Sequence, residues 1–142
     1  MLLAANSPGP IPNSAPPTYD SGSPVITRHW RAQTTKPLVY VAGAEGVGSG
    51  PGEFAANNVA VYSPDRPHVV VHGDPRLSPW IDMADLDRRG AVLVWQAATA
   101  ALPESLLITF PRAQMQPPLV LPRQTLYPRA PEIIYYAFVL PR

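Results

Sequence analysis

The sequence predicts an α/β fold, a three-layer sandwich around a mostly parallel sheet of about five strands with an antiparallel strand at the C-terminal end. Short apolar runs at 38–42, 69–72 and 91–95 alternate with segments whose apolar residues recur at helical spacing. The connections are long enough for parallel pairing, and runs that are apolar throughout are typical of strands covered on both faces.

The chain divides into a Pro/Ser-rich linker or arm at 1–22 and a single domain at 23–142. Prolines at the density seen in the first segment favour an extended chain with few hydrogen bonds. A chain of 142 residues fits one domain and can bury roughly two-thirds of the surface of its unfolded state.

Composition excludes several classes of protein. A net charge of +1, with basic residues scattered along the chain, argues against a nucleic-acid partner. The absence of cysteine excludes disulfides and thiolate metal sites. No apolar run reaches the about 18 residues of a membrane span, and the apolar start is too short for a signal sequence.

In the first half of the domain, Ser23 and Pro24 predict the N-cap and first position of a helix that ends near Thr34. The strand at 38–42 follows. A second helix is predicted at 53–63, and Pro64 ends it.

In the second half, Asp82 is predicted as the N-cap of a short helix that Gly90 closes in a left-handed conformation. The segment 97–110 fits either one helix interrupted by Pro103 or a loop followed by a short helix from Pro103. The proline-containing run at 116–122 suggests an edge strand, and 132–140 is the last strand.

The glycine-rich segment 43–52 follows a predicted strand, as phosphate-binding loops do. Its alternating glycines do not match the dinucleotide pattern, and it lacks the lysine of a P-loop. Glu45 would also repel a phosphate. We therefore favour a loop whose glycines permit a close turn.

Metal binding and catalysis find little support. His68 and His72 are four residues apart in a valine-rich strand, which separates them by roughly 13 Å and prevents them from sharing an ion. Acid–base chemistry could use Asp74, Asp82, Asp85 or Asp87, and a carboxylate pair across the 74–82 loop is conceivable. Asp82, however, is explained as a helix cap, and Asp85 and Asp87 are explained as solvated charges of the helix. The chain has none of the serine or cysteine nucleophile motifs. We predict no catalytic residue, no metal ligand and no cofactor.

The default ligand site is the edge of the sheet at the carboxyl ends of its strands. Gly43–Glu45, His72–Asp74 and Gln96 would meet there. Trp80, in a proline-flanked loop, is a candidate ligand contact, and Trp80→Ala is expected to weaken ligand binding without unfolding the chain. The predicted ligand-binding residues are Glu45, His72, Asp74, Trp80 and Asp82.

Several runs resemble a known family. They are PLVYVAG at 37–43, AVYSPDRPH at 60–68, DPRLSPWID at 74–82 and RRGAVLVW at 88–95, followed by QPPLVLP at 116–122 and AFVLPR at 137–142. Together they resemble the soluble domain that follows the membrane helices in bacterial glycosyltransferases of family 39, relatives of the protein mannosyltransferases. The resemblance covers 24–142; the segment 45–52 is longer and richer in glycine than the family pattern.

The resemblance implies a domain on the periplasmic face of the inner membrane, tethered to the transmembrane portion of the same polypeptide. The parent enzyme would take sugar from a polyprenyl-phosphate donor. Its catalytic carboxylate would lie in a loop between membrane helices, so no catalytic residue is carried over to this chain. The domain would orient the lipid-linked sugar or the glycan acceptor without itself being catalytic.

Two alternatives remain open. The chain could be a stand-alone α/β protein that binds nucleotide or phosphate through the 43–52 loop. It could also be a protein-interaction module, which a contiguous exposed apolar patch would favour.

Overall fold

The computed structural model of the chain describes residues 19–44, 52–95, 101–121 and 132–142. Most of the predicted linker, the glycine-rich segment from Glu45 and the predicted loop before the last strand lie outside these ranges. Within them, no helix is long and apolar enough to cross a membrane.

The described residues form four α-helices and six strands. The helices are α1 (Tyr19–Gln33), α2 (Gly52–Tyr62), α3 (Met83–Arg89) and α4 (Glu104–Thr109). The strands are β1 (Tyr40–Gly43), β2 (His68–Val70), β3 (Ala91–Trp95), β4 (Gln114–Met115), β5 (Leu119–Leu121) and β6 (Glu132–Val139). The α/β class is as predicted.

The sheet is mixed, and the prediction of a mostly parallel sheet is wrong. Its strand order is β2-β1-β3-β6-β4, and β5 also pairs with β6. The pairs β1–β2 and β1–β3 are parallel, whereas all pairs made by β6 are antiparallel. The apolar run of β6 reveals a buried strand but carries no information about its neighbours. Strand β6 pairs with β3 on one side and with β4 and β5 on the other. The part of the sheet around β6 is therefore antiparallel.

Helices pack on both faces of the sheet, and each face has its own core. On one face, α1 and α2 pack on strands β1, β3 and β6 through Ile26, Trp30, Val59, Val92 and Phe138. On the other face, the core combines α3, α4 and the same strands through Leu86, Leu106, Phe110, Leu93 and Trp95. Strand β3 is buried along its whole length, which explains its uninterrupted apolar sequence.

Helix α1 begins at Tyr19, five residues before the predicted first helical position at Pro24, and Pro24 lies inside it. Ser23 is buried, and its carbonyl accepts a hydrogen bond of 2.9 Å from the Thr27 hydroxyl. Gly22 packs against side chains of β5 and β6. Tertiary packing therefore stabilises a helical turn before the proline, where the local signal predicted a helix start.

Helix α3 is capped as predicted. The Asp82 carboxylate accepts hydrogen bonds from the Ala84 and Asp85 amides at 2.9 and 3.2 Å. Gly90 follows with a φ of 83°, as a closing glycine requires, but its ψ of 177° differs from a left-handed helical cap. A Cβ on Gly90 would lie 2.3 Å from the Val139 carbonyl oxygen, so the chain after β6 packs directly on this turn.

Two further predictions are resolved. Helix α4 starts after Pro103, in agreement with the alternative of a loop followed by a short helix. The run at 116–122 contains β5 alone, and β4 precedes its prolines at 114–115. Prolines cannot donate ladder hydrogen bonds, so they separate the two short strands that pair with β6.

Candidate functional site

A groove of about 480 Å³ lies beyond the carboxyl end of β2. One wall is the loop after this strand, and the other wall is α4. The groove is lined by His72, Gly73, Asp74, Pro75, Arg76, Leu77, Ser105, Ile108 and Thr109. Its volume falls within the range of about 300–1,000 Å³ that small-molecule sites occupy, and its position agrees with the edge where ligands bind in α/β sheets.

The first wall is a tightly folded loop. A single 3₁₀ turn at Val71–Gly73 is closed by a hydrogen bond of 2.9 Å from the Asp74 amide to the Val71 carbonyl. The buried Ser78 hydroxyl accepts a hydrogen bond of 2.7 Å from the Val71 amide, which ties the two ends of the loop together. This loop therefore presents its side chains to the groove from a fixed backbone.

Two residues of this loop have a positive φ, namely His72 at 51° and Gly73 at 66°. A Cβ on Gly73 would lie 2.4 Å from Leu106 Cδ2 and 3.0 Å from the Gly43 carbonyl oxygen. Glycine is therefore required here, because α4 and the end of β1 both contact this backbone. The close approach brings the two walls of the groove together.

Asp74 and Arg76, which both line the groove, form an ion pair with each other. The Arg76 Nη2 donates to Asp74 Oδ2 at 2.8 Å, and the Arg76 Nε and backbone amide donate to Oδ1 at 3.0 and 2.9 Å. The side-chain hydrogen bond from Arg76 lowers the pKa of Asp74 below its usual value. Asp74 is thus a stable carboxylate at neutral pH that can accept hydrogen bonds from ligand hydroxyls.

Helix α4 supplies the second wall with both apolar and polar groups. Ile108 is 74% exposed and faces the solvent beside Ser105 and Thr109. The Thr109 hydroxyl donates to the Ser105 carbonyl at 3.0 Å, so its oxygen can still accept a hydrogen bond from a ligand. On the first wall, Leu77 is also exposed. The groove therefore offers apolar contact and hydrogen bonding together.

The structure places some of the predicted ligand residues together and separates others. His72 and Asp74 line the groove. Trp80 is 68% exposed and does not line it, and Asp82 is occupied as the cap of α3. Gly43 contacts the groove loop through its backbone. Glu45 and Gln96 lie outside the described residues.

Sequence reasoning missed Arg76, Leu77, Ser105, Ile108 and Thr109. Arg76 had a local signal, because an aspartate before proline commonly bonds the amide two residues on, and that bond places Arg76 beside the carboxylate. The α4 residues had no such signal. They reach the groove only through the packing of Leu106 on Gly73.

The carboxylate pair considered for catalysis is not assembled in the groove. Asp74 is there, whereas Asp82 bonds the first turn of α3. Across the described ranges, no group of three or more His, Asp or Glu side chains is placed to hold a metal ion. His68 lies in β2 with its ring 6.1 Å from that of Tyr40, and His72 lies beyond the strand.

Comparison of the chain with protein-family models, curated proteins and solved structures finds no match.

Proposed function

We propose that this chain is a non-catalytic accessory domain of a membrane glycosyltransferase that uses a polyprenyl-phosphate-linked sugar, located on the extracytoplasmic face of the membrane. In this proposal its groove holds the sugar of the donor or of the glycan acceptor. The sequence runs at 60–68 and 74–82 motivate the membrane enzyme as the parent protein. The groove supports the role proposed for this domain, which is to hold a sugar.

The observation that carries the proposal is the pairing of Asp74 with Arg76 beside the apolar side chains Leu77 and Ile108. A sugar presents both hydroxyl groups and apolar C–H faces. A fixed carboxylate accepts hydrogen bonds from hydroxyls, while aliphatic side chains cover the C–H faces. The groove thus has the chemical character of a glycan-binding surface.

The same geometry favours binding over catalysis. A general acid needs a pKa near the working pH, whereas Arg76 keeps the pKa of Asp74 low. The Thr109 hydroxyl donates to the Ser105 carbonyl of its own helix, not to a catalytic base. A domain of this kind would position a substrate for chemistry carried out elsewhere in the polypeptide.

The test is saturation-transfer NMR of the chain against mannose, glucose, N-acetylglucosamine and short oligosaccharides. We expect transfer to at least one glycan and a loss of about tenfold in affinity for Asp74→Asn, because a charge-assisted acceptor is replaced by a neutral amide. Asp87→Asn is the matched control, since it removes the same charge from an ion-paired carboxylate outside the groove. If none of the glycans shows saturation transfer, the proposal is overturned.

A second candidate is a protein-interaction module. Leu77 and Ile108 are large, apolar and exposed, and they lie on opposite walls of the groove. Exposed apolar side chains in one region are typical of surfaces that another polypeptide covers. This candidate predicts that Ile108→Ser abolishes binding to the transmembrane portion of the parent protein, while glycans give no NMR signal.

The third possibility, nucleotide binding through the glycine-rich segment, depends on residues 45–51, which the structure does not describe. ATP and NAD in the same NMR panel test it. Binding of either nucleotide, without glycan binding, would favour it over the accessory domain.

A further inference from the structure

A second concave surface lies at the opposite edge of the sheet, where the parallel strands begin. It has a volume of about 360 Å³ and is lined by Lys36, Pro37, Val39, Arg88, Arg89 and Arg142. We call it the cationic groove. Among the residues that the structure describes, no acidic side chain lines it, although the chain as a whole has a net charge of only +1.

Three separate parts of the chain bring these cations together. Lys36 lies just before β1, Arg88 and Arg89 lie in the last turn of α3, and Arg142 follows β6. The Arg142 amide donates to the Arg88 carbonyl at 3.1 Å, which fixes the position of Arg142 on α3. The helix dipole explains basic residues such as Arg88 and Arg89 in the last turn of a helix. The dipole does not explain why Lys36 and Arg142 lie beside these two arginines.

The nearby carboxylates do not neutralise the cationic groove. Asp85 pairs with both Arg88 and Arg89, and its second oxygen accepts the Tyr40 hydroxyl at 2.6 Å. A single carboxylate thus serves two arginines, and its hydrogen-bonding capacity is largely occupied by them and by Tyr40.

Asp87 is shared in the same way. Its Oδ1 accepts from Arg112 at 2.8 Å and its Oδ2 accepts from Arg142 Nε at 2.7 Å. Two carboxylates therefore face four arginines, and the Lys36 ammonium makes no ion pair within the described residues.

The arginines retain donors for a ligand. Arg89 and Arg142 each donate to their carboxylate through Nε, so these two ion pairs do not use the terminal Nη groups. Their side chains are about half exposed or more. Paired N–H groups of this kind match the oxygens of a phosphate, and lysine adds a compact positive charge.

We propose that the cationic groove binds a phosphate group, contributed either by a soluble phosphate compound or by the headgroup of an anionic phospholipid. Lys36, Arg89 and Arg142 make the direct contacts. Asp85 and Asp87 hold the arginines in place without cancelling their charge. The site is separate from the groove beside Asp74 and does not depend on it.

The first arm of the test is a titration with inorganic phosphate and pyrophosphate at low ionic strength, followed in ¹H–¹⁵N NMR spectra. The second arm is co-sedimentation with vesicles of phosphatidylglycerol, compared with vesicles of phosphatidylcholine. We expect saturable binding in at least one arm, with perturbed amides at 36, 88–90 and 142. Binding should weaken as salt is added, because exposed charges are screened.

The decisive variant is Arg89→Gln with Arg142→Gln. Asp85 keeps Arg88 and Tyr40, and Asp87 keeps Arg112, so neither carboxylate loses all its partners. We expect a loss of about tenfold or more in phosphate affinity for the double variant. Arg28→Gln removes one charge from an exposed residue that does not line the groove and should bind as the unaltered chain does.

The two arms distinguish the sources of phosphate. If the chain binds pyrophosphate and the double variant does not, the ligand is a soluble phosphate compound. If the chain binds only phosphatidylglycerol and the double variant does not, the ligand is a lipid headgroup. No binding in either arm overturns the proposal, as does an equal loss for Arg28→Gln. Neither outcome bears on glycan binding, which Asp74→Asn tests.

Discussion

The Tyr40 hydroxyl donates a hydrogen bond of 2.6 Å to Asp85, which joins the first residue of β1 to helix α3. Burial, followed by the bond to Asp85, raises the pKa of Tyr40 to about 12. The same bond, with the two arginines of α3, lowers the pKa of Asp85. This contact therefore joins α3 to the sheet and contributes to a raised pKa at Tyr40 and a lowered pKa at Asp85.

Replacing Tyr40 with phenylalanine removes this bond and leaves the ring in the core. We expect a loss of about 1 kcal/mol in the free energy of unfolding, the usual net contribution of a hydrogen bond. Because folding raises the pKa of Tyr40, its contribution is complete below pH about 10 and is lost as the pH rises towards about 12. Urea unfolding from pH 8 to 11.5 should therefore show a steeper loss for the unaltered chain than for Tyr40→Phe. Parallel pH curves would contradict the assignment.

Asp85→Asn gives the opposite dependence on pH. Folding lowers the pKa of Asp85, so the stability it contributes is present above the unfolded pKa of about 3.9 and is lost as the pH falls through the lower folded value. We expect the variant to unfold more easily at pH 7 and the difference to shrink below pH about 4. Acid unfolding followed by circular dichroism measures this. A difference that stays constant down to pH 2 would show that the charge of Asp85 is irrelevant.

Gly73→Ala should be among the most damaging single-methyl changes in the chain. The added Cβ meets Leu106 and the Gly43 carbonyl at a backbone with a φ of 66°. We expect a loss of about 1–3 kcal/mol from strain and displaced packing. Gly22→Ala is the matched control, because its Cβ meets only side chains at 3.4–3.5 Å within a helix. Equal urea midpoints for the two variants would show that the loop at 71–77 and helix α4 are not in close contact.

Trp80→Ala separates folding from binding. The side chain is 68% exposed, so the free energy of unfolding should change by less than about 0.5 kcal/mol. We expect a reduction of glycan affinity of about threefold or more, because an exposed indole close in sequence to the groove loop offers a flat apolar surface to a sugar. Thermal unfolding and the glycan titration are measured on the same sample. Unchanged affinity would restrict the ligand surface to the residues that line the groove.

The parts of the fold that depend on local chemistry were predictable. The Asp82 cap, the closing Gly90 and the buried strand β3 each have their cause within a few residues of the sequence. The antiparallel direction of the C-terminal strand was predicted, and the structure confirms it. The position of β6 inside the sheet was not predictable, because its apolar run fits an edge or an interior position equally well. Its place beside β3 is set by packing against residues distant in sequence.

The candidate site divides in the same way. His72 and Asp74 could be predicted because they follow a strand and precede a proline turn. Ser105 and Thr109 belong to a short helix whose contact with that turn depends on Gly73 and Leu106. The cationic groove was not foreseen either, since its cations come from three distant segments of a chain with scattered charge.

The most direct test of the accessory-domain account is a ¹H–¹⁵N NMR titration of the chain with a water-soluble, short-chain polyprenyl-phosphate mannose. We predict saturable shifts of the amides at 72–74, 76–77 and 105–109, weakened by Asp74→Asn and unchanged by Arg89→Gln with Arg142→Gln. Shifts confined to 36, 88–90 and 142 would show that only the phosphate is recognised and would contradict a sugar-binding groove. No shifts at all would contradict it as well.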